Sequence, residues 1–514
     1  MLERHYDVVI VGGGMAGRAL AAALGKHPMH RSHLQSWRRM DPSHLARDLG
    51  QHVGSQRLRL ALIDGGSVPQ PGPNRASRSR TLKDYSNRVS FITHENYAFV
   101  KGLAEGGHPD LTPPAPSSAS SDARALWKDA EEEGGAWPVD SMHIWDRDGH
   151  TSAIHLRVPG EGGNHLLGRI VENRLMIETL ASQNRNCTEF GGESVRAIQV
   201  NSDQVHLQLA NVSGGITCAC VVGADGRQSI VQRQVVKPEM VERRYGQKGL
   251  VATLQITGYP KGNTTAFQRF LPSGPLAILP LGPSTASMVW TLPDQTVERL
   301  LASHLDAEQW RWLISAGLHL QTADVMRLLD TPDALRREEF TWRQDALEQG
   351  HRDWLHHSHV PIVEQIALPS LAAFPLSMCH AQRTVAPRAI IIGYVFRRWR
   401  PAPYSSMHRD AAHVIHPLAG QGVNLGLGDV RELTQAMAEA ASLGSDLGNV
   451  RHYRAYHWKR QLATLGMAGF VDGVHRLYHH PGTAVGQLRR RGMALLGAIN
   501  PLSSVLQRVL AGRQ

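Results

Sequence analysis

The stretch Tyr6-Asp-Val-Val-Ile-Val-Gly-Gly-Gly-Met-Ala-Gly17 decides how this chain folds. Tyr6 to Val11 is a largely apolar run of strand type, and Arg18-Ala-Leu-Ala-Ala-Ala-Leu24 beyond it is strongly helix-forming. Between them, Gly12 to Gly17 spells GxGxxG with a strand before it and a helix after it, the context in which this pattern marks a dinucleotide-binding turn. Gly12 is expected to allow the tight turn. Gly14 should let a pyrophosphate approach the backbone, and Gly17 should let the helix pack on the strand. The phosphate would then rest on N–H groups at the helix N-terminus.

Working outward, Leu58-Arg-Leu-Ala-Leu-Ile63 reads as the second strand and ends at Asp64, a carboxylate placed to accept ribose hydroxyls. The usual interval from the glycines is about 20 residues. Here the polar segment from His27 to Gln56 intervenes, and it reads as a solvated insertion. Further on, Val221-Val-Gly-Ala-Asp225-Gly226 is a strand running into an Asp-Gly turn, with a helix expected after Ser229. Taken alone it could be an ordinary turn, although Asp225 at a strand end also suits a contact to cofactor hydroxyls. A third Gly-rich stretch runs from Asp410-Ala-Ala-His413 through His416-Pro417-Leu-Ala-Gly420-Gln421-Gly422-Val-Asn424 to Gly428-Asp429. Such backbone permits close approach of a flat ligand and offers N–H groups to its electron-rich atoms. A helix from Val430 to Ala441 should follow. His413 and His416 read as structural histidines, with proton carriage the lesser alternative.

These three motifs, in this order, resemble the group A flavoprotein monooxygenases. The resemblance narrows to the monooxygenases of ubiquinone (coenzyme Q) biosynthesis, eukaryotic mitochondrial branch. The narrowing passages are Ser86-Asn-Arg-Val-Ser-Phe-Ile-Thr93, Met142-His-Ile-Trp-Asp146, Val171-Glu-Asn-Arg174 and Ala266-Phe-Gln-Arg-Phe-Leu-Pro-Ser-Gly-Pro275, with the stretch from His416 to Asn424. What the resemblance implies is an α/β fold: a glutathione-reductase-type, Rossmann-like FAD domain interleaved with a β-sheet substrate domain, plus a C-terminal helical tail. The FAD domain would comprise residues 1–105, 160–245 and 375–450, the substrate domain 106–159 and 246–374, and the helical region 451–514. Gly106 to Gly135, rich in Pro, Ser and Glu, reads as a flexible loop. The expected FAD contacts are Gly12, Gly14, Gly17, Asp64, Arg88, Asp225, Gly226, Gly393, Asp410, Pro417, Gly420, Gln421, Gly422 and Asn424. Pro417, Gly420 and Gly422 would line the flavin ring.

The chemistry implied is hydroxylation of the aromatic ring of a polyprenyl-phenol or benzoate through a flavin C4a-hydroperoxide. The cofactor carries the hard step, and the protein supplies orientation and a dry site. No catalytic triad is expected. Leu271 to Pro280 and Ser287 to Trp290 read as strands that could wall a channel for the prenyl chain, or simply form a sheet core. Molecular oxygen, a ferredoxin with its reductase, a coenzyme Q biosynthetic complex and a peripheral contact on the matrix face of the mitochondrial inner membrane are the further expectations. An NAD(P)H-dependent aromatic hydroxylase of another pathway, and an inactive or prenyl-binding scaffold protein, are the alternatives.

Composition is consistent with this reading and narrows little else. The chain has 514 residues, 42% hydrophobic and 19% charged, about three domains of globular protein. Its formal charge of +10 favours anionic partners without choosing among them. Nucleic acid is not expected, because no basic-aromatic module occurs. Four cysteines are too few for a disulfide framework. Cys218-Ala-Cys220 should place both thiols on one strand face as buried structural groups, a metal or redox pair being the lesser alternative. No apolar run is long enough to span a bilayer. Met1 to His5 leads straight into the first strand, so no secretory signal is read. The tail from Leu488 to Leu510 carries Arg489, Arg490, Arg491 and Arg508 opposite an apolar face, suited to a membrane surface, a partner or its own domain.

One passage departs from the family pattern. After the strand Ala389-Ile-Ile-Ile392 the family has Gly-Asp adjacent, but here Gly393 and Asp410 are separated by residues 394–409. That segment includes Phe396-Arg-Arg-Trp-Arg-Pro-Ala-Pro403, which suits neither a buried strand nor a flavin loop. It is expected to be a retained intron, since its removal restores Gly-Asp in frame; a genuine surface loop is the alternative. Sequencing cDNA across the junction decides between them.

Overall fold

The computed structural model describes residues 4–26, 57–66, 81–105, 131, 135–146, 154–157, 166–184, 186–226, 229–258, 262–331, 360–393, 413–414 and 422–479. The segments 27–56, 394–409 and 480–514, and most of 106–135, lie outside the described residues.

The first sheet is built on the opening strand. β1 (Arg4–Val11) lies between β11 (Ile216–Gly223) and β2 (Leu60–Asp64), with β8 (Cys187–Gly191) beyond β2 and β19 (Ala389–Ile391) beyond β11, all parallel. β18 (Val385–Ala386) closes one edge, and the hairpin β9 (Val195–Val200) and β10 (Val205–Leu209) pairs antiparallel with the first half of β11. Strands buried on both faces need continuous apolar runs, and β1 and β2 supply them. α1 (Met15–Lys26), α3 (Asn173–Ser182) and α7 (Gly422–Ser442) cover one face, where Val8, Ile10, Leu20, Leu24, Leu62 and Leu433 share a core.

Cys218 and Cys220 do not share a face. The N–H groups of Asp7 and Val8 both donate to Arg59 O, at 2.9 and 3.3 Å, which makes a bulge in β1. Tyr6 therefore packs with Val9 and Val11, whereas Val8 packs with Ile10 on the other side. β11 keeps step, Cys218 opposite Tyr6 and Cys220 opposite Val8, so the two thiols enter different cores. Burial pushes the Cys220 thiol up to about 12 and raises Cys218 as well.

A small sheet, β3 (Val89–Thr93), β7 (Gly168–Glu172) and β4 (Ala136–Val139), packs beside α2 (His94–Glu105). The third sheet is large. β20 (His413–Val414), β17 (Ala372–Ala381), β12 (Met240–Thr257), β15 (Thr285–Pro293), β14 (Gly274–Pro280), β13 (Thr265–Leu271), β5 (Ser141–Asp146) and β6 (Ile154–Arg157) follow one another, and β16 (Ile362–Ile366) pairs with the far end of β12. The strands expected around Leu271 to Pro280 and Ser287 to Trp290 are therefore present. One face buries Leu254, Ile278, Met288 and Trp290 against α4 (Asp294–Ala302), α5 (Ala307–His319) and α6 (Thr322–Asp330). α5 starts at a reciprocal cap, Asp306 Oδ1 accepting from Gln309 N at 2.8 Å and Gln309 Oε1 from Asp306 N at 2.9 Å.

Two boundaries drawn from the motifs fall inside strands. The 245–246 boundary lies within β12, where Gly246 takes φ +65° and the pairing with β17 shifts register; the 374–375 boundary lies within β17. α8 (Arg454–His479) joins the first and third sheets: Tyr456 enters the core shared by α1 and α7, and Asp472 pairs with Arg243 of β12. Among the described residues no helix is long and apolar enough to cross a membrane.

Candidate dinucleotide and flavin site

In open α/β sheets ligands gather at the carboxyl ends of the parallel strands. Here those ends are laced together. Gly12 N donates to Ile63 O at 2.8 Å, Ala224 N to Val11 O at 2.7 Å, and Ile392 N to Gly223 O at 2.9 Å. The Gly12 loop, Asp64, Asp225 and Gly393 thus lie along one edge.

Each glycine of the loop has a distinct steric task. Gly12 takes φ +113°, and a Cβ there would sit 2.4 Å from the backbone of Ala224 and Asp225. A Cβ on Gly17 would lie 2.0 Å from Gly12 O. At Gly14 it would meet nothing within 4 Å, so the space outside that residue is open. α1 opens directly beyond, with Arg18 N bonded to Gly14 O at 3.0 Å.

Asp64 and Asp225 flank the loop. Asp64 Oδ1 accepts from Gly66 N at 3.2 Å, and the carboxyl side chain is 26% exposed. Asp225 Oδ2 accepts from Ile230 N at 2.8 Å, while its buried Oδ1 has no hydrogen-bond partner among the described residues. Burial raises the Asp225 pKa. An unpartnered buried oxygen next to an open glycine cradle fits a dinucleotide that brings hydroxyl donors and a pyrophosphate. After Gly226, at φ +74°, the chain makes a short π-helical turn from Gln232 to Val236 rather than a regular helix.

The third motif is more helical than its glycines suggest. α7 begins at Gly422, eight residues before the expected Val430, so Gly422 and Asn424 form its first turn. The glycines serve close packing: a Cβ on Gly428 would lie 2.8 Å from Arg460 Nη1. The Asn424 side chain is committed to protein. Its Oδ1 accepts from Thr93 N at 2.9 Å and Asn96 Nδ2 at 3.0 Å, and its Nδ2 donates to Phe91 O at 2.8 Å. It staples α7 to β3 and α2. Gly393, at φ +88°, donates its N–H to Asp429 Oδ2 at 3.0 Å. Arg88 immediately precedes β3, and its carbonyl accepts from Asn173 N at 3.0 Å. Asp410, Pro417, Gly420 and Gln421 lie outside the described residues, as do the side chains of His413 and His416.

Four residues of this edge were missed in the sequence. Arg18 is fully buried and bonds Gly13 O, Asp64 and Glu189. Arg460 Nε pairs with Asp429 Oδ1 at 2.7 Å and its Nη2 donates to Leu425 O at 2.8 Å. For Arg18 a signal existed: it is the one charge among the Ala and Leu residues of α1 before the closing Lys26, directly after the glycines. Glu189, Asp429 and Arg460 carry no such mark.

No family model matches the chain. It is similar to curated proteins named ubiquinone biosynthesis monooxygenase COQ6, mitochondrial. That of Danio rerio is 28% identical over 97% of this chain and 88% of that protein, and that of Homo sapiens is 27% identical over 97% and 90%. That of Schizosaccharomyces pombe is 28% identical over 96% and 89%. Among solved structures, p-nitrophenol 4-monooxygenase PnpA from Pseudomonas putida superposes with TM-score 0.58 at 13% identity, covering 100% of both chains. The probable FAD-dependent monooxygenase pqsL from Pseudomonas aeruginosa superposes with TM-score 0.57 at 15% identity, over 95% of this chain and 99% of that one. Over nearly its whole length the chain is thus similar to proteins named ubiquinone biosynthesis monooxygenase, and it shares its fold with these solved monooxygenases.

Proposed function

We propose that the chain is an FAD-dependent monooxygenase that hydroxylates the aromatic ring of a polyprenylated phenol or benzoate in ubiquinone biosynthesis. The observation that carries this is the carboxyl edge itself, where the open Gly14 cradle, Asp64 and Asp225 stand at neighbouring strand ends in a chain similar over nearly its full length to COQ6 proteins. When bound, the flavin supplies the oxygen activation. The chain's own residues bind and orient. Gly12 to Gly17 would cradle the pyrophosphate, Asp64 the adenosine ribose, and Asp225 a hydroxyl of the flavin side. Asn424 fixes the first turn of α7 beside them. The large sheet walls the substrate side, its opposite face sealed by α4, α5 and α6.

The electron donor expected from the resemblance is a ferredoxin with its reductase, and the location the matrix face of the inner membrane within a coenzyme Q biosynthetic complex. One feature of α8 supports a peripheral contact. Trp458, Leu462 and Leu465 are 66%, 70% and 53% exposed on one helical face, with Arg454 and Lys459 beside them. Trp at such a boundary, flanked by basic groups, suits an anionic lipid surface.

The test is the flavin spectrum of the purified protein followed by anaerobic reduction. Uptake of FAD, reduction by a ferredoxin system and oxygen-dependent hydroxylation of a prenylated hydroxybenzoate are expected. A protein that takes up no FAD contradicts the proposal, and rapid reduction by NADPH alone contradicts the ferredoxin route.

A further inference from the structure

Arg18 is the fourth residue of α1 and has no exposed surface in its side chain. A buried arginine is expensive unless every face of its fork is engaged. Here it is engaged on three sides. Nε donates to Gly13 O at 2.8 Å, Nη1 reaches both carboxylate oxygens of Glu189 at 3.2 and 3.1 Å, and Nη2 reaches Asp64 Oδ2 at 3.3 Å. Glu189 is anchored in turn by Asn184 Nδ2 at 3.0 Å.

The arrangement couples two parts of the site that come from distant sequence. Gly13 lies inside the phosphate loop, and Asp64 ends β2. The two are in contact, since a Cβ on Gly13 would fall 2.1 Å from Asp64 Oδ2. Without Arg18, Asp64 and Glu189 would be two partly buried carboxylates without their shared cation. Repulsion between them would turn Asp64 toward solvent. With Arg18 present, one Asp64 oxygen is tied to the guanidinium and the other to Gly66 N, while the group stays partly exposed along the ligand edge.

We propose that Arg18 is a positioning residue for the adenosine ribose: it holds Asp64 in the orientation that accepts the ribose hydroxyls and locks the Gly13 carbonyl of the phosphate loop to it. Lysine cannot replace it, because a point charge lacks the planar fork that serves Gly13, Glu189 and Asp64 together. The inference rests on the FAD reading of this edge.

The experiment measures dissociation constants of FAD and of its 2′,3′-dideoxyadenosine analogue for the apoprotein, by flavin fluorescence, in wild type, R18M and R18K. Wild type should bind the analogue roughly 10- to 100-fold more weakly, the worth of hydrogen bonds to a charged acceptor. R18M should bind the two within about threefold of each other. R18K should lose at least threefold of the wild-type discrimination, which keeps the test open should R18M fail to fold. A merely structural role would lower both affinities together and leave their ratio unchanged, and that result in either variant overturns the inference. A wild-type protein that binds FAD but does not discriminate also overturns it, while the FAD reading stands. One that binds neither dinucleotide overturns both.

Discussion

Asp429 and Arg460 form a buried ion pair, Oδ1 to Nε at 2.7 Å, with side chains 3% and 8% exposed. The second oxygen of Asp429 accepts the N–H of Gly393, so the pair pins the end of β19 to α7 and α8. Removing one partner of such a pair leaves a buried charge and typically costs about 3–5 kcal/mol. R460M should therefore lower the urea midpoint sharply, and D429N/R460M should recover part of the loss. Equal midpoints for R460M and wild type would show that the pair holds nothing together.

Asp225 gives a trade between stability and binding. Burial raises its pKa, so the folded apoprotein holds that proton to higher pH than the unfolded chain. Its contribution is present below the unfolded pKa and is lost as pH rises through the folded one. D225N should remove that slope, leave the apoprotein at least as stable at neutral pH, and weaken FAD binding about tenfold or more. Thermal melts of apoprotein across acidic to neutral pH, with FAD titrations alongside, check all three.

Lys26 should produce an alkaline effect of opposite sign. Burial lowers its pKa to about 8, while its ammonium donates to Leu103 O and to Gln183 Oε1 at 2.8 Å. Between about 8 and the ordinary value of 10.5 the folded protein releases this proton before the unfolded chain does. Stability contributed by this group therefore rises with pH over that window. K26M should flatten the rise in urea midpoints between pH 8 and 10; an unchanged slope would contradict the assignment.

The exposed face of α8 predicts lipid binding that a single charge can break. The wild-type protein should co-sediment with vesicles containing anionic lipid, and L462E should reduce the bound fraction severalfold while the melting temperature stays within a few degrees. Equal sedimentation of the two proteins would remove α8 from the account.

The parts legible in the sequence are those in which backbone geometry forces residue type. The Gly12 and Gly17 positions allow no Cβ, and Asp64 and Asp225 stand at strand ends where the chain turns. The rest depends on contacts between distant residues. Glu189 reaches Arg18 across the sheet, and Arg460 reaches Asp429 from another helix; neither pairing leaves a local pattern. The Gly422 to Gly428 stretch reads as a loop because glycine disfavours helix, yet packing against Arg460 and the Asn424 staple outweigh the propensity cost of about 1 kcal/mol per glycine. The bulge at Asp7 likewise escapes any rule of strict alternation, which is why the Cys218 and Cys220 thiols separate.

The central claim is that the carboxyl edge of the first sheet holds FAD, and FAD titration of wild type against G14A tests it most directly. A Cβ at Gly14 meets no protein atom within 4 Å, so G14A should fold with the wild-type apoprotein melting temperature. Wild type should take up one FAD per chain, and G14A should bind it at least about tenfold more weakly, because the added methyl stands where the pyrophosphate must approach. A wild-type protein that takes up no FAD, or a G14A protein that binds it equally well, would contradict the account.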